Sequence, residues 1–182
     1  KVAKVALGDT HSAAIDTEGG LWMWGSNEHG ALGNGEKGEY LCEGTPIKIM
    51  DDVSSVSLSF GSSGDAHSGA VTRDGSLYMW GSNNFGQLGD GTTAECLKPK
   101  RIMSGVSQVV AGHRKTAVIK TDGSLWVWGY NGNGDLGTGD GQNHATPVKL
   151  LDDVVQVDFG GSHGAALKSD GSLWMWGSNN GG

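Results

Sequence analysis

The sequence predicts an all-β chain of about three and three-quarter β-propeller blades, each of four antiparallel strands. Three observations carry this: a tryptophan-containing segment that recurs four times, a hairpin signal ahead of each copy, and no window of convincing helical periodicity. The recurring segment reads LWMWGSN at Leu21 to Asn27, LYMWGSN at Leu77 to Asn83, LWVWGYN at Leu125 to Asn131 and LWMWGSN at Leu173 to Asn179, in steps of 56, 48 and 48 residues. All 7 Trp of the 182 residues lie in it. Self-similarity at such a period marks a repeat architecture. Four short strands in a repeat of about 50 residues select the propeller, which manages its sheet edges by radial repetition.

Within the first copy, Val2 to Leu7 and His11 to Asp16 are apolar and small, Leu21 to Gly25 alternates with aromatics, and Thr45 to Ile49 follows a loop as a short edge-like run. Asp74-Gly75, Asp122-Gly123 and Asp170-Gly171, with Glu18-Gly19 in the first copy, read as two-residue hairpin turns, because glycine accepts positive φ at no steric cost. A glycine-rich loop, Gly30 to Gly35 in the first copy, follows the tryptophan strand, and a proline strand closes the unit. The repeats fall at approximately 1–49, 50–102, 103–150 and 151–182, the last stopping before its glycine-rich loop. Of the extra length between the first two tryptophan segments, about three residues precede Pro46 and about five fall at Ser59 to Ser63, both between strands, where loops absorb insertions.

Composition narrows the function classes. With 33 Gly but an apolar content far from that of a disordered chain, the protein should be ordered and rich in tight turns. Thirteen Lys plus Arg against 20 Asp plus Glu give a net charge of −7. No basic run exists, which argues against nucleic acid or an anionic membrane surface as partner. No apolar stretch approaches the roughly 20 residues of a membrane-spanning helix. Cys42 and Cys96 stand in the variable part of successive repeats without a metal-ligand spacing, either as free thiols or as a pair.

The combination Gly-x-x-His-(Ser/Gly)-x-Ala, Asp-Gly-x-Leu-(Trp/Tyr)-x-Trp-Gly-x-Asn and Gly-x-Leu-Gly-x-Gly resembles the regulator-of-chromosome-condensation repeat, over essentially the whole chain. That resemblance implies a seven-bladed propeller, and a family whose members include exchange factors for a nuclear small GTPase, a plant ultraviolet-B receptor and a bacterial secreted β-lactamase inhibitor. Seven blades need about twice this length, so the chain is expected to be part of a longer protein, an open arc, or a subunit that self-associates to complete a ring. The regular, acidic, Asp-Gly-Ser-rich texture resembles the inhibitor branch more than the nuclear branch, and that resemblance implies a bacterial secreted or cell-surface protein. The photoreceptor would require Trp in the Gly-x-x-His turn, where this chain has Asp9, Asp65, His113 and Gly161. The light-sensing reading is therefore set aside.

Fold does not decide function, so the exposed loops must. In a four-stranded meander the first-to-second and third-to-fourth connections emerge on one face, and the Asp-Gly hairpins on the other. The resemblance favours the first face for a protein partner. That face carries Asp9, Thr10, Asp65, Ala66, His113, Arg114, Gly161 and Ser162, with Ser26, Ser82, Tyr130 and Ser178 from the turn after the tryptophan strand. The third repeat stands apart, because His113, Arg114 and Tyr130 replace small or acidic residues, and Arg and Tyr are interface hot-spot types. The partner-binding set is Asp9, Thr10, Asp65, His113, Arg114, Tyr130 and Ser162. A protein-interaction scaffold is the leading reading, a GTPase exchange factor the alternative, and a glycan-binding module stacking sugar on Tyr130 the second alternative.

His11, His67 and His163 recur at one repeat position, taken by Lys115 in the third copy. One histidine per blade is too dispersed for zinc, whose ligands converge within about 2 Å of one ion, so each is expected to hydrogen-bond within its own blade. Asp135, Asp140 and Asn143 could suggest calcium, but no loop carries the alternating acidic ladder and terminal Glu. No nucleophile elbow, recurrent carboxylate pair or phosphate-cradling loop is present. No catalysis, cofactor or metal is expected.

Overall fold

The computed structural model describes residues 1–61 and 63–179; Ser62, within the expected insertion, and residues 180–182, at the end of the fourth repeat, lie outside it. Fifteen strands form four antiparallel sheets among these residues. The first blade is β1 (Val2–Leu7), β2 (His11–Asp16), β3 (Leu21–Ser26) and β4 (Cys42–Met50). The second is β5 (Val53–Leu58), β6 (His67–Thr72), β7 (Leu77–Gly81) and β8 (Cys96–Met103). The third is β9 (Val106–Ala111), β10 (Lys115–Lys120), β11 (Leu125–Gly129) and β12 (His144–Leu151), and the fourth, three-stranded, is β13 (Val154–Phe159), β14 (His163–Lys168) and β15 (Leu173–Gly177). Each is a simple meander in chain order. The outer strand β4 starts at Cys42, earlier than the apolar run from Thr45 indicates, because Ser26 and Gly25 pair with Cys42 and Glu43.

The Asp-Gly hairpins are one residue longer than the dipeptide suggests. Thr72 N–H bonds Ser76 O and Gly75 N–H bonds Thr72 O, leaving Arg73, Asp74 and Gly75 as a three-residue loop, and the first and third blades repeat the pattern. This is the type I turn closed by a left-handed residue. Gly75 and Gly123 supply the positive φ, at 78° and 80°. The aspartate works beside it: the carboxylates of Asp74, Asp122 and Asp170 accept the Ser76, Ser124 and Ser172 N–H groups.

Neighbouring blades are joined by a contact that the repeat makes three times. The first residue of each inner strand donates back to the previous hairpin, Val53 N–H to Gly19 O, Val106 N–H to Gly75 O and Val154 N–H to Gly123 O, at 2.9, 3.0 and 2.9 Å. On the Leu21 and Met23 face of blade one, Ala13 and Ile15 pack with Val53, Leu58, Ala70 and Trp80 of blade two. In blades two to four the tryptophan just before the motif glycine then reaches the preceding blade's glycine-rich loop. Trp80, Trp128 and Trp176 donate their indole N–H to Ala31 O, Gln87 O and Asp135 O, each at 2.8 Å. A Cβ on Gly33 would lie 2.8 Å from the Trp80 Nε1, and one on Gly89 2.7 Å from the Trp128 Nε1. Close approach of ring to backbone is what the Leu-Gly pair in that loop is for.

The repeated histidines correct one expectation. They bond across the gap to the following blade, not within their own: His11 Nε2 meets Ser68 Oγ and His67 Nε2 meets Thr116 Oγ1, both at 3.0 Å. Each hydroxyl gives its own proton to a carbonyl, Ser68 to Ala31 O and Thr116 to Gln87 O. The histidine must therefore donate from Nε2, leaving a neutral ring whose buried Nδ1 has no hydrogen-bond partner among the described residues. Burial lowers both pKa values to about 4. The unfolded chain takes up these protons near pH 6.5 and the folded one only near 4, so stability should fall as pH drops through that window. Each ring withholds on the order of 3 kcal/mol once pH is below both values. Urea titrations at about pH 7 and about pH 4.5 should show a smaller acid loss for His67→Gln than for the parent chain; equal losses would refute the assignment.

Candidate interaction site on the loop face

The third blade breaks the histidine pattern for a reason visible one blade on. At the position of Ser68 and Thr116, blade four has Gly164, which offers no hydroxyl. Lys115 spans the gap instead, donating from Nζ to Asp135 Oδ1 at 3.0 Å and to Gly161 O at 2.8 Å, with its ammonium 5.1 Å from the Phe159 ring centroid. Both side chains of this pair are buried. Burial pulls the Lys115 pKa below its usual value, against the opposing pull of Asp135. Asp135 thus serves a blade junction. Asp140 accepts from Thr138, Asn131 and the Gln142 N–H, and Asn143 Oδ1 accepts the Asn131 N–H, so these oxygens organise the loop. Asn27, Asn83 and Asn131, all buried, do the same through the N–H of Leu32, Leu88 and Leu136.

Above this framework the loop face gathers one polar and aromatic cluster across blades two and three. Ser59 N–H bonds His67 O, as Gly8 N–H bonds His11 O, so the connection between these paired residues is longer in blade two than the Asp9-Thr10 turn of blade one. A single 3-10 turn, Ser63–Asp65, takes up the extra length and delivers Asp65 to blade three. There Arg114 Nε donates to Asp65 Oδ2 at 2.7 Å, and the guanidinium lies 4.8 Å from the Phe85 ring centroid. Phe85 in turn meets Tyr130 edge to face, centroids 5.3 Å apart. His113 Nε2 sits 3.9 Å from the same Asp65 oxygen; burial first, and the Arg114 charge second, lower its pKa.

Arg114 holds φ at 60°, a left-handed conformation rare outside glycine. Such a residue costs on the order of 1–3 kcal/mol and persists where its surroundings enforce it. The backbone bonds that close its turn, Gly112 N–H to Lys115 O and Tyr130 N–H to Arg114 O, are those surroundings, while the Asp65 carboxylate and the Phe85 ring hold its side chain. Four of the seven expected residues, Asp65, His113, Arg114 and Tyr130, therefore converge, with Asp65 buried and the other three half-buried. Asp9, exposed, and Thr10 and Ser162, half-buried, lie on other blades, and Thr10 O and Ser162 O brace the Ser26 and Ser178 N–H groups. Ala66 and Ser82 are buried. Phe85 was not anticipated from the sequence; its signal is an aromatic where the neighbouring loops have His29 and Asn133. Cys42 and Cys96 are both free thiols.

Meander sheets of three or four strands, staggered side by side with the inner strands of blades two to four tied to the previous hairpin, define a β-propeller segment whose chemistry-bearing residues sit on one loop face. The profile described as Regulator of chromosome condensation (RCC1) repeat matches residues 18–71, 74–119 and 122–167, and a second profile of the same description matches 2–31, 59–87, 106–135 and 154–182. The chain belongs to the RCC1 repeat family. It is 36% identical over 120 residues to the Ultraviolet-B receptor UVR8 of Arabidopsis thaliana, covering 64% of this chain and 26% of the receptor. The crystal structure of human WBSCR16 superimposes with a TM-score of 0.80 at 28% identity, over 98% of this chain and 48% of that one. Prp20p of Saccharomyces cerevisiae, whose crystal structure is described with its binding properties to Gsp1p and histones, superimposes at 0.76 with 23% identity, over 97% of this chain and 45% of that one, a likeness of fold. The chain thus spans about a quarter of the receptor and about half of either solved chain.

Proposed function

We propose that this segment is a non-catalytic protein-interaction module whose partner contacts the loop face, centred on Arg114, Phe85 and Tyr130 and extending over His113 and Asp65 toward Asp9, Thr10 and Ser162. The observation that carries the reading is the Arg114 cluster: a left-handed arginine held by an ion pair and an aromatic face, half-exposed, across two blades. Side chains already held in place lose less freedom on association, and Arg and Tyr anchors supply much of the energy of many interfaces. Family relatives lend support, since protein binding is named in the description of Prp20p.

The test compares two surface variants as baits for chemical cross-linking and mass spectrometry. Arg114→Ala with Tyr130→Ala alters the loop face; Arg73→Ala alters the opposite, hairpin face, where Arg73 is exposed beside Asp52. A partner captured by the parent and by Arg73→Ala should be lost by about tenfold or more from the double variant, a loss of at least ~1.4 kcal/mol. Equal capture by all three would place the contact elsewhere.

A further inference from the structure

The seam between blades one and two opens at its outer rim into a cavity of about 730 Å³. Ile49 and Met50 of β4 line one side, and Tyr78 of β7 with Pro99 of β8 the other. Two departures from the repeat shape it. Tyr78 stands where the other blades have Trp22, Trp126 and Trp174, and a single ring in place of an indole frees volume against blade one. The indoles of Trp22 and Trp126 give their N–H to Asp16 and Ser124 of their own blades, whereas the Tyr78 hydroxyl has no hydrogen-bond partner among the described residues. Lys98 stands three residues before Arg101, the ladder partner of Tyr78, where Thr45 and Thr146 precede Lys48 and Lys149. Its stem lies over the first blade's loop, a Cβ on Gly35 falling 2.6 Å from Lys98 Cε, and its ammonium has no ion-pair partner among the described residues. The carboxylates beside this cavity are engaged: Lys48 bonds Asp51 at 2.6 Å, Arg73 lies 3.8 Å from Asp52, and Thr72 and Ser76 donate to Asp74. The open polar groups on this side are therefore donors, Lys98 Nζ and the Tyr78 hydroxyl. A second cavity, of about 550 Å³, adjoins the first through Ile49, Lys98 and Pro99, and there the open groups are the carboxylates of Glu36 and Glu43.

We infer that this seam is a docking groove for an extended peptide segment of a partner protein, one that carries an acidic residue beside apolar ones and a basic residue further along. The apolar side chains seat against Ile49, Met50 and Pro99, the acidic one accepts from Tyr78 and Lys98, and the basic one faces Glu36 and Glu43. Apolar, anionic and cationic groups set in line over two adjoining open cavities are what an extended polypeptide supplies, and side-chain pockets are what give such grooves specificity. Complementary charges fix register and partner choice more than raw affinity, so a reversal of charge preference is the sharpest readout. None of the loop-face residues lines either cavity, which makes this inference independent of the reading above.

A phage-displayed library of random dodecapeptides, selected on the 182-residue chain, tests it. Enriched sequences should share an acidic residue flanked by apolar ones, and the most enriched, synthesised with a fluorescein label, should bind in solution by fluorescence polarisation. Tyr78→Trp with Lys98→Thr, the residues that blade three carries at these positions, should weaken that peptide by about tenfold or more. Lys98→Glu, at an exposed position outside the core, should weaken it as much while leaving the far-ultraviolet circular dichroism unchanged. The Lys98→Glu protein should regain binding when the acidic residue of the peptide is replaced by lysine, a reversal that a merely structural role for Lys98 would not produce. Enrichment without an acidic consensus would overturn the inference, as would a peptide that binds the parent and Lys98→Glu within about twofold of each other. Either result leaves the loop-face reading standing.

Discussion

Asp135→Ala is expected to lower the unfolding free energy by about 3–5 kcal/mol, the cost of leaving a buried ammonium without its counter-ion. Lys115 is 0% exposed, and without Asp135 its Nζ would keep Gly161 O and the Phe159 ring but no carboxylate among its contacts with the described residues. The Asn133 N–H would also lose its acceptor, Asp135 Oδ2. Replacing both partners, Lys115→Met with Asp135→Leu, should recover most of the loss, because a packed apolar pair does not carry the desolvation cost of two ions. The deficit of the single variant should also shrink as pH rises toward 9 or so, since an unpaired buried lysine is relieved by losing its proton. Urea midpoints for the parent, the single and the double variant decide the matter. A single variant within about 1 kcal/mol of the parent, or a double variant no better than the single, would show that the pair is not what closes the junction between blades three and four.

Trp128→Ala should be of similar severity, about 3–5 kcal/mol, by the usual cost of emptying a fully enclosed aromatic site. Trp128 is 0% exposed, donates to Gln87 O and fills the space above Gly89. Gln87 O keeps a donor in Thr116 Oγ1, so the loss is chiefly one of packing between blades two and three. At this chain length such a change corresponds to a fall in Tm of roughly 10 °C, readable by calorimetry. Trp24 occupies the same motif position in blade one but is half-buried. Trp24→Ala should therefore cost less than about half as much. Equal effects from the two substitutions would contradict the view that the motif tryptophan acts through the preceding blade.

The blade and its strand order were legible in the sequence because they depend on local chemistry repeated four times. Alternating aromatics, an aspartate that accepts two residues on, and a glycine with positive φ each act within a few residues. The loop-face cluster was legible only in outline. Arg114 and Tyr130 stood out as departures from the repeat, yet Phe85, which joins them, sits in the variable part of a loop and becomes meaningful only when blade two lies beside blade three. The histidines misled in a similar way. Their recurrence marked a structural role correctly, but whether the ring turns inward or across depends on the stagger between blades, and the receiving hydroxyls lie 57 and 49 residues further along the chain.

Lys115, Asp135 and Gly164 show the division most clearly. The sequence by itself determined that the third copy lacks the histidine, that an aspartate sits in its glycine-rich loop, and that the fourth copy has a glycine where its predecessors have serine or threonine. Only the tertiary structure decided that these three departures are one: a missing hydroxyl is answered by a longer cation, and the cation by a carboxylate within 3.0 Å. The physical reason is that strand and turn are set by neighbours in sequence, whereas burying a charge or satisfying a ring nitrogen is settled by whatever the next sheet presents.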